Sequence, residues 1–108
     1  MTHLVEKFAA LGDQTRFAIV ERLLREGELS AGQLSDDTKI SPPAVSRHLK
    51  VLRNAGVISQ RVERQKRIYS VQPQAVETIS AWADSYRDFW EASIDRLSDA
   101  LDKEILKK

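Results

Sequence analysis

The chain has 108 residues, of which 42% are apolar and 31% charged, so it is long enough for one globular domain with a modest hydrophobic core. It contains no cysteine, which excludes disulfides, thiolate metal sites and iron–sulfur clusters formed by the chain itself. No apolar run approaches the ~20 residues that span a bilayer, and the first residues, MTHLVEK, lack a signal-peptide pattern. We therefore expect a soluble, cytoplasmic protein.

The charged residues are unevenly distributed along the chain, although the net charge is only +1. Residues 41–71 contain seven basic residues and one acidic residue, a net charge of +6. Residues 1–40 have a net charge of −2 and residues 72–108 a net charge of −3. A basic middle between acidic flanks is typical of a protein with one surface facing nucleic-acid phosphates.

Two helices are expected at the N-terminal end of the chain. Residues 3–11 predict a short first helix that Gly12 interrupts, and Asp13 is the expected N-cap of a second helix over residues 14–26, ended by Gly27. The apolar residues at amphipathic spacing are Leu4, Val5, Phe8 and Leu11 in the first helix, and Phe17, Val20, Leu23 and Leu24 in the second.

The next segment predicts a helix-turn-helix. Ser30 and Gln33 fit a capping box at the start of a short third helix. Residues 38–40 form the turn into a fourth helix, for which Ser41 is the expected N-cap, and Gly56 supplies the stop. Two short helices joined by a tight turn constitute this motif.

The fourth helix has two chemically different faces. Val45, Leu49 and Leu52 recur at i, i+4 and i+7 and form an apolar stripe. The other side is small, polar and cationic and has no carboxylate; it consists of Pro43, Ser46, Arg47, Lys50 and Arg53. A solvated face usually mixes both signs of charge, so this one favours a helix that lies in a DNA major groove.

A β-hairpin is predicted after Gly56. Residues 57–62 and 68–71 are rich in β-branched side chains, and the residues between them are polar and mostly basic. This is the pattern of a wing with a cationic tip. The turn contains no Gly or Asn, so we expect a loop longer than two residues.

The C-terminal residues predict a single long helix, from Pro73 to about Ile105, with apolar residues spaced by three or four. At 1.5 Å per residue it is roughly 45–50 Å long, and the rest of the chain is too small to cover it. We therefore expect a homodimer. The expected interface residues are Leu4, Phe8, Ile79, Trp82, Tyr86, Phe89, Trp90, Ile94 and Leu97.

The order of these elements, together with four strings, resembles the ArsR/SmtB family of bacterial winged-helix repressors. The strings are FAALGDQTR, ELSAGQL, SPPAVSRHLKVL and RIYSV, beginning at Phe8, Glu28, Ser41 and Arg67. The resemblance implies a mostly α-helical winged helix-turn-helix fold with a small β-hairpin that dimerises through its first and last helices. It also implies a repressor that binds an imperfect palindrome. The residues themselves predict a single domain over 1–108, with the helix-turn-helix at about 30–55, the wing at 57–71 and the dimerisation helix at 73–105, because no internal repeat or low-complexity linker interrupts the chain.

The chain departs from the metal-sensing members of the family. Those members carry cysteine in the segment that here contains Ser30 and Gly32, and an aspartate where this chain has Gln33. Others place histidine and aspartate ligands along the last helix, yet residues 73–108 contain no histidine. The resemblance is therefore to the metal-independent branch, and we expect no metal and no cofactor. The wing glycine of the family is also missing near Arg64.

The expected DNA-binding residues are Ser41, Pro43, Ala44, Ser46, Arg47, His48, Lys50, Arg53, Arg61, Arg64, Lys66 and Arg67. Arg47 is the best candidate for a base edge, because a guanidinium binds guanine in bidentate fashion, and Ser46 can bond either base or phosphate. Pro43 and Ala44 offer apolar contact to a thymine methyl group. Lys50, Arg53 and the wing cations are expected at phosphates or the minor groove, where contacts position without specifying sequence, although some wing cations can be merely solubilising.

Several residues have an alternative interpretation. His48 lies at the edge of the apolar stripe, so a structural role is as plausible as a phosphate contact, and His3 near the terminus is expected to be inert. Arg16 could approach the DNA backbone or pair with an acid such as Glu21. The aromatic residues of the last helix could line a ligand pocket instead of a dimer core.

The sequence favours a DNA-binding regulator over two other classes of protein. It contains no Ser/His/Asp or Cys/His set and no glycine-rich phosphate loop, so we do not expect an enzyme. The main rival is a protein–protein interaction module that uses the aromatic helix and keeps the winged helix as scaffold. An inducer, if the chain has one, is a small molecule that the sequence does not identify.

Overall fold

The computed structural model describes residues 2–36 and 38–106. The helices and strands, in chain order, are α1 (Thr2–Leu11), α2 (Gln14–Glu26), β1 (Leu29–Ser30), α3 (Ala31–Asp36), α4 (Pro42–Asn54), β2 (Ile58–Glu63), β3 (Lys66–Val71), α5 (Pro73–Asp84) and α6 (Arg87–Leu106). The chain divides into two compact units, one that ends at Glu77 and one that begins at Thr78. The predicted fold class, mostly helical with a small hairpin, is confirmed.

The predicted helix ends are present as hydrogen-bonded caps. The Asp13 carboxylate accepts from the backbone N–H of Arg16 at 3.0 Å, and Gly27 closes α2 with a φ of 84°. Ser30 and Gln33 form the reciprocal pair of a capping box, at 3.1 Å and 2.8 Å. Ser41 caps α4, because its Oγ accepts from the backbone N–H of Ala44 at 3.3 Å.

One hydrophobic core joins the helices and the sheet of the first unit. Leu23, Leu34 and Leu52 are at most 2% exposed and are contributed by α2, α3 and α4. The remaining members of the core cluster are Ala10, Ile19, Val20, Leu29, Val45, Leu49, Val57, Ile58 and Tyr69. Truncating such a leucine to alanine costs about 2–5 kcal/mol in other proteins, so exposing Leu52 to solvent would be strongly unfavourable. The core therefore determines which face of α4 is buried and which is exposed.

The sheet has a third strand that the sequence did not predict. β1 pairs with β3 in antiparallel fashion, with Leu29 opposite Tyr69, and the strand order is β1-β3-β2. A strand of two residues has no alternating pattern to detect. Its position follows from the burial of Leu29 in the core.

The expectation of a longer hairpin loop was wrong. Glu63 pairs with Lys66, which leaves only Arg64 and Gln65 in the turn between β2 and β3. Arg64 adopts a φ of 59°, in the left-handed region that usually selects glycine or asparagine. The six paired positions of the hairpin hold this turn in place, so the pairing of the strands overrides the local preference of Arg64.

The single helix expected over residues 73–105 is two helices in the structure. α5 ends at Asp84 and α6 begins at Arg87. The hydroxyl of Ser85 donates to the carbonyl of Trp82 at 2.6 Å, and serine side chains that bond to the backbone compete with helix hydrogen bonds. The backbone N–H of Tyr86 donates to Ala83 rather than to Trp82, so the helical pattern is tightened and broken at this point.

Candidate nucleic-acid interface

The core stripe of α4 determines what its opposite face presents to solvent. Val45, Leu49 and Leu52 are 1%, 2% and 0% exposed. The exposed residues of the other face, all of them predicted there, are Pro43, Ser46, Arg47, Lys50 and Arg53. Ala44 is half-buried at the edge of this face, and Ser41 is exposed at its N-terminal end.

The cations of this face are not neutralised by the protein. Arg47, Lys50 and Arg53 form no ion pair or side-chain hydrogen bond with any residue in the described ranges. Their donors are therefore available to an external partner. The guanidinium of Arg47 can bind two acceptors in one plane, whereas the ammonium of Lys50 acts as a point charge toward phosphate.

The wing presents further cations, on two different faces of the hairpin. Residues directly opposite each other on paired strands share a face, so Arg67 lies with Val62 and Lys66 lies with Glu63. Arg64 is at the tip, and all three basic residues are exposed. Lys66 and Arg67 therefore lie on opposite faces of the wing.

Arg61 differs from the other wing cations because two carboxylates hold its guanidinium. Its Nε donates to Glu28 at 2.7 Å and its Nη1 donates to Glu63 at 2.8 Å. These hydrogen bonds raise the pKa of Arg61 above its usual range, and the bond from Arg61 lowers the pKa of Glu28. Arg61 ties the hairpin to the segment before β1, and its charge is compensated within the protein.

His48 is turned inward, away from the cationic face. Its side chain is 24% exposed, and its Nδ1 lies 3.4 Å from Nη1 of Arg16 and 3.8 Å from the carboxylate of Asp13. This position favours the structural interpretation of His48 over a phosphate contact. Arg16 itself donates to the carbonyl of Ala10 at 2.6 Å, so its partner is the end of α1 and not Glu21.

Lys39 is a candidate contact that the sequence analysis did not select. It is exposed in the turn between α3 and α4, two residues before the N-cap Ser41, and has no side-chain partner in the part of the chain that the structure describes. Residues 1–40 have a net negative charge, so the charge distribution along the chain does not reveal Lys39. A cation beside the start of the predicted DNA-binding helix is the signal that would have identified it.

Apolar side chains are exposed on the helices of the first unit. Phe8 of α1 is 39% exposed and Leu4 is half-buried. Phe17 and Leu24 of α2 were expected on the amphipathic face but are 49% and 56% exposed, and Ile19 takes their place in the core. They lie at i and i+7, so both are on the same side of α2, two helical turns apart.

The second unit exposes an apolar stripe along α6. Trp90, Ile94, Leu97 and Leu101 are spaced by four, three and four residues and are 41–62% exposed. The other predicted interface residues of the C-terminal segment are half-buried (Ile79) or exposed (Trp82, Tyr86 and Phe89). The rings of Trp82 and Tyr86 are 5.6 Å apart between centroids, and Arg87 lies 5.8 Å from the ring of Trp90.

Two other kinds of feature, a metal-binding cluster and a membrane-spanning helix, are absent from residues 2–36 and 38–106. No group of three or more His, Asp or Glu side chains lies close enough together to hold a metal ion. None of the helices in these ranges combines the length and apolar character needed to cross a bilayer.

The comparisons with known proteins give a consistent result. Residues 13–60 match the family model described as bacterial regulatory protein, arsR family. The chain is 38% identical over 95 residues to the HTH-type transcriptional regulator Rv2034 of Mycobacterium tuberculosis, a match that covers 88% of this chain and 85% of that protein. It is 35% identical over 75 residues to the transcriptional repressor SdpR of Bacillus subtilis, covering 69% of this chain and 82% of SdpR.

The fold is similar to that of solved regulators. The crystal structure of the ArsR family transcriptional regulator RHA00566 superimposes with a TM-score of 0.74 and 26% sequence identity, covering 83% of this chain and 92% of that one. The relatives are named as transcriptional regulators and repressors, which confirms the prediction that the chain is not an enzyme.

Proposed function

This chain belongs to the arsR family of bacterial regulatory proteins and is a transcriptional regulator, and we propose that it acts as a homodimer that binds a palindromic DNA operator through α4. One observation carries the proposal. The face of α4 opposite the buried stripe is exposed, cationic and unpaired within the described residues. Such a helix fits the major groove, where a donor array can read base edges.

The proposed contacts divide by chemistry. Arg47 reads a base edge, with Ser46 beside it and Pro43 and Ala44 against thymine methyl groups. Phosphate contacts come from Ser41, Lys50 and Arg53 on α4 and from Arg64, Lys66 and Arg67 on the wing. Arg61 is left out because Glu28 and Glu63 already bind it, and His48 because it bonds inward.

The exposed apolar side chains support a homodimer. α6 presents an apolar stripe over Trp90, Ile94 and Leu97, and α1 and α2 present Phe8 and Phe17. Exposed apolar surface of this kind, on either unit by itself, marks an interaction site on a protein in water. A second copy of the chain is the occupant that a symmetric operator requires, because a two-fold dimer sets two recognition helices one DNA turn apart.

Repression is the proposed outcome of binding. The relative SdpR is named as a transcriptional repressor, and a dimer seated on an operator blocks access to the DNA beneath it. Since its target is the chromosome, the proposal also places the chain in the cytoplasm. The proposal includes neither metal nor cofactor, and it leaves the chemistry of any inducer open.

The test is selection of bound fragments from the source genome, followed by fluorescence anisotropy on the enriched sequences. We expect a palindromic motif bound at least a thousandfold more tightly than scrambled DNA. If the dimer binds every fragment in the nonspecific range of about 10⁻⁴–10⁻⁶ M, the proposal fails. In that case the rival interpretation, a protein–protein interaction module using α6, takes its place.

A further inference from the structure

The side chain of Arg16 connects three helices of the first unit. Its Nε donates to the carbonyl of Ala10 at 2.6 Å and its Nη2 to the carbonyl of Ala9 at 3.5 Å, both in the last turn of α1. Its Nη1 donates to Nδ1 of His48 in α4 at 3.4 Å. Its backbone N–H, in the first turn of α2, bonds to the N-cap Asp13.

Each of these contacts suits an arginine at this position. The last carbonyls of a helix lack intrahelical partners and carry partial negative charge, so a cation there is favourable. The planar guanidinium directs its donors toward two carbonyls and a ring nitrogen at once, which the single ammonium of a lysine does not reproduce. The side chain of Arg16 is only partly buried, but its three contacts are made by three different nitrogen atoms of one rigid, planar guanidinium.

His48 lies between the buried apolar stripe and the exposed cationic face of α4. It follows Arg47, the proposed base-reading residue, and precedes the core residue Leu49. A contact at His48 therefore restrains rotation of α4 about its own axis at the level of the reading residue. The other end of the same link is the last turn of α1, the helix that carries Leu4 and Phe8.

We propose that Arg16 is a positioning residue that holds the recognition helix α4 in register with α1, and so determines which spacing of DNA half-sites the dimer accepts. This inference rests on the proposed function, because it assumes that α1 belongs to the dimer interface. Arg16 bonds to both α1 and α4. In the proposed dimer, Arg16 therefore fixes the orientation of each α4 relative to the two-fold axis on which α1 lies. The core determines which face of α4 is exposed, and the Arg16 link adds a polar contact between α4 and the last turn of α1.

The test is DNA selection with libraries in which the two half-sites are separated by variable spacers. Arg16→Gln and Arg16→Lys are compared with Arg25→Gln, which removes an exposed guanidinium without a described side-chain partner from the same helix. We expect both Arg16 variants to remain dimeric in sedimentation. Their preference for the natural spacing over spacers one base pair longer or shorter should fall on the order of tenfold. The Arg25 variant should keep that preference.

A second variant separates positioning from simple stability. His48→Ala removes the α4 end of the link and leaves the contacts of Arg16 with α1 intact, so spacing selectivity should broaden while the melting temperature changes little. Combining it with Arg16→Gln should broaden selectivity no further than Arg16→Gln alone. The inference is overturned if the Arg16 variants bind DNA more weakly by the same factor at every spacing. It is also overturned if the spacing preference is unchanged in all variants. A wild-type protein without any spacing preference overturns the proposed function instead.

Discussion

In the proposed interface with DNA, Arg47 is the residue that reads a base edge. Replacing it with alanine removes a planar donor pair from the exposed face of α4 while leaving the core stripe intact. We expect a loss of about 1–3 kcal/mol on the natural operator and relaxed preference at one position in each half-site. Lys50→Ala is the matched control on the same face and should weaken all sequences alike. The measurement is anisotropy against a panel of single-base operator variants, and uniform weakening by Arg47→Ala would contradict base readout.

Arg64 shows a local conflict between side chain and backbone. Its φ of 59° is costly for any residue with a Cβ atom, yet the turn of the wing requires it. Arg64→Gly should therefore be more stable than Arg64→Ala by about 1 kcal/mol. Both variants lose the same guanidinium, so DNA affinity should fall equally in the two. Urea unfolding measures the difference, and an alanine variant as stable as the glycine variant would show that the turn is not strained.

At the scale of the helix, the cap of α2 predicts a pH dependence. The hydrogen bond from the backbone N–H of Arg16, and then the charge of the Arg16 guanidinium, lower the pKa of Asp13 below its ordinary value of 3.8. A carboxyl group with a lowered pKa stabilises the fold above that ordinary value and loses this effect as the pH falls through the lower, folded-state pKa. Asp13→Asn keeps a capping oxygen but cannot ionise. The wild type should be more stable at pH 7, and thermal unfolding should show the difference shrinking below about pH 3.8; a difference independent of pH would refute the assignment.

The wing provides a test at the scale of the hairpin. Lys66 has no described partner, whereas Arg61, on the same face, is bound by two glutamates. Lys66→Ala should flatten the dependence of log affinity on log salt by about 1 for each half-site. Arg61→Ala removes the same formal charge but should leave the slope unchanged. Equal slopes for Lys66→Ala and wild type would remove the wing from the proposed interface.

At the scale of the whole molecule, the proposal depends on the apolar stripe of α6. Trp90→Asp would bury an unpaired charge in the proposed seam between copies, which is strongly unfavourable. We expect the dimer dissociation constant to rise on the order of a hundredfold or more. Ala92→Asp places the same charge about 200° around the helix, at an exposed position away from the stripe, and should leave the dimer intact. Sedimentation of Trp90→Asp as a full-strength dimer would exclude this face.

The prediction that residues 1–108 form a single domain also belongs to this scale. Contacts divide the chain near Glu77, so each part is compact by itself. We propose that the two parts nevertheless unfold together, because the second unit has no buried large apolar side chains of its own among its described residues. In the proposed dimer, the second copy would supply the missing core.

Features that depend on neighbours along the chain could be predicted from the amino-acid sequence. Asp13, Ser30 and Ser41 cap the helices expected of them, since a cap bonds to a backbone group only three residues away. The two faces of α4 and the basic middle of the chain follow in the same way from helical periodicity and from counting charges. These local properties were sufficient to predict the fold class, and the family was predicted from the resemblance of four sequence strings to the ArsR/SmtB family.

Features that depend on segments distant in sequence could not be predicted, because they are set by tertiary contacts. Arg61 is neutralised by Glu28, 33 residues away, and His48 is turned inward by Arg16, 32 residues away. Hairpin pairing imposed the left-handed turn on Arg64 against its local preference. The reason is the same in each case: a charge or a conformation is stabilised by whatever packs beside it in space, and one-dimensional periodicity contains no information on those partners.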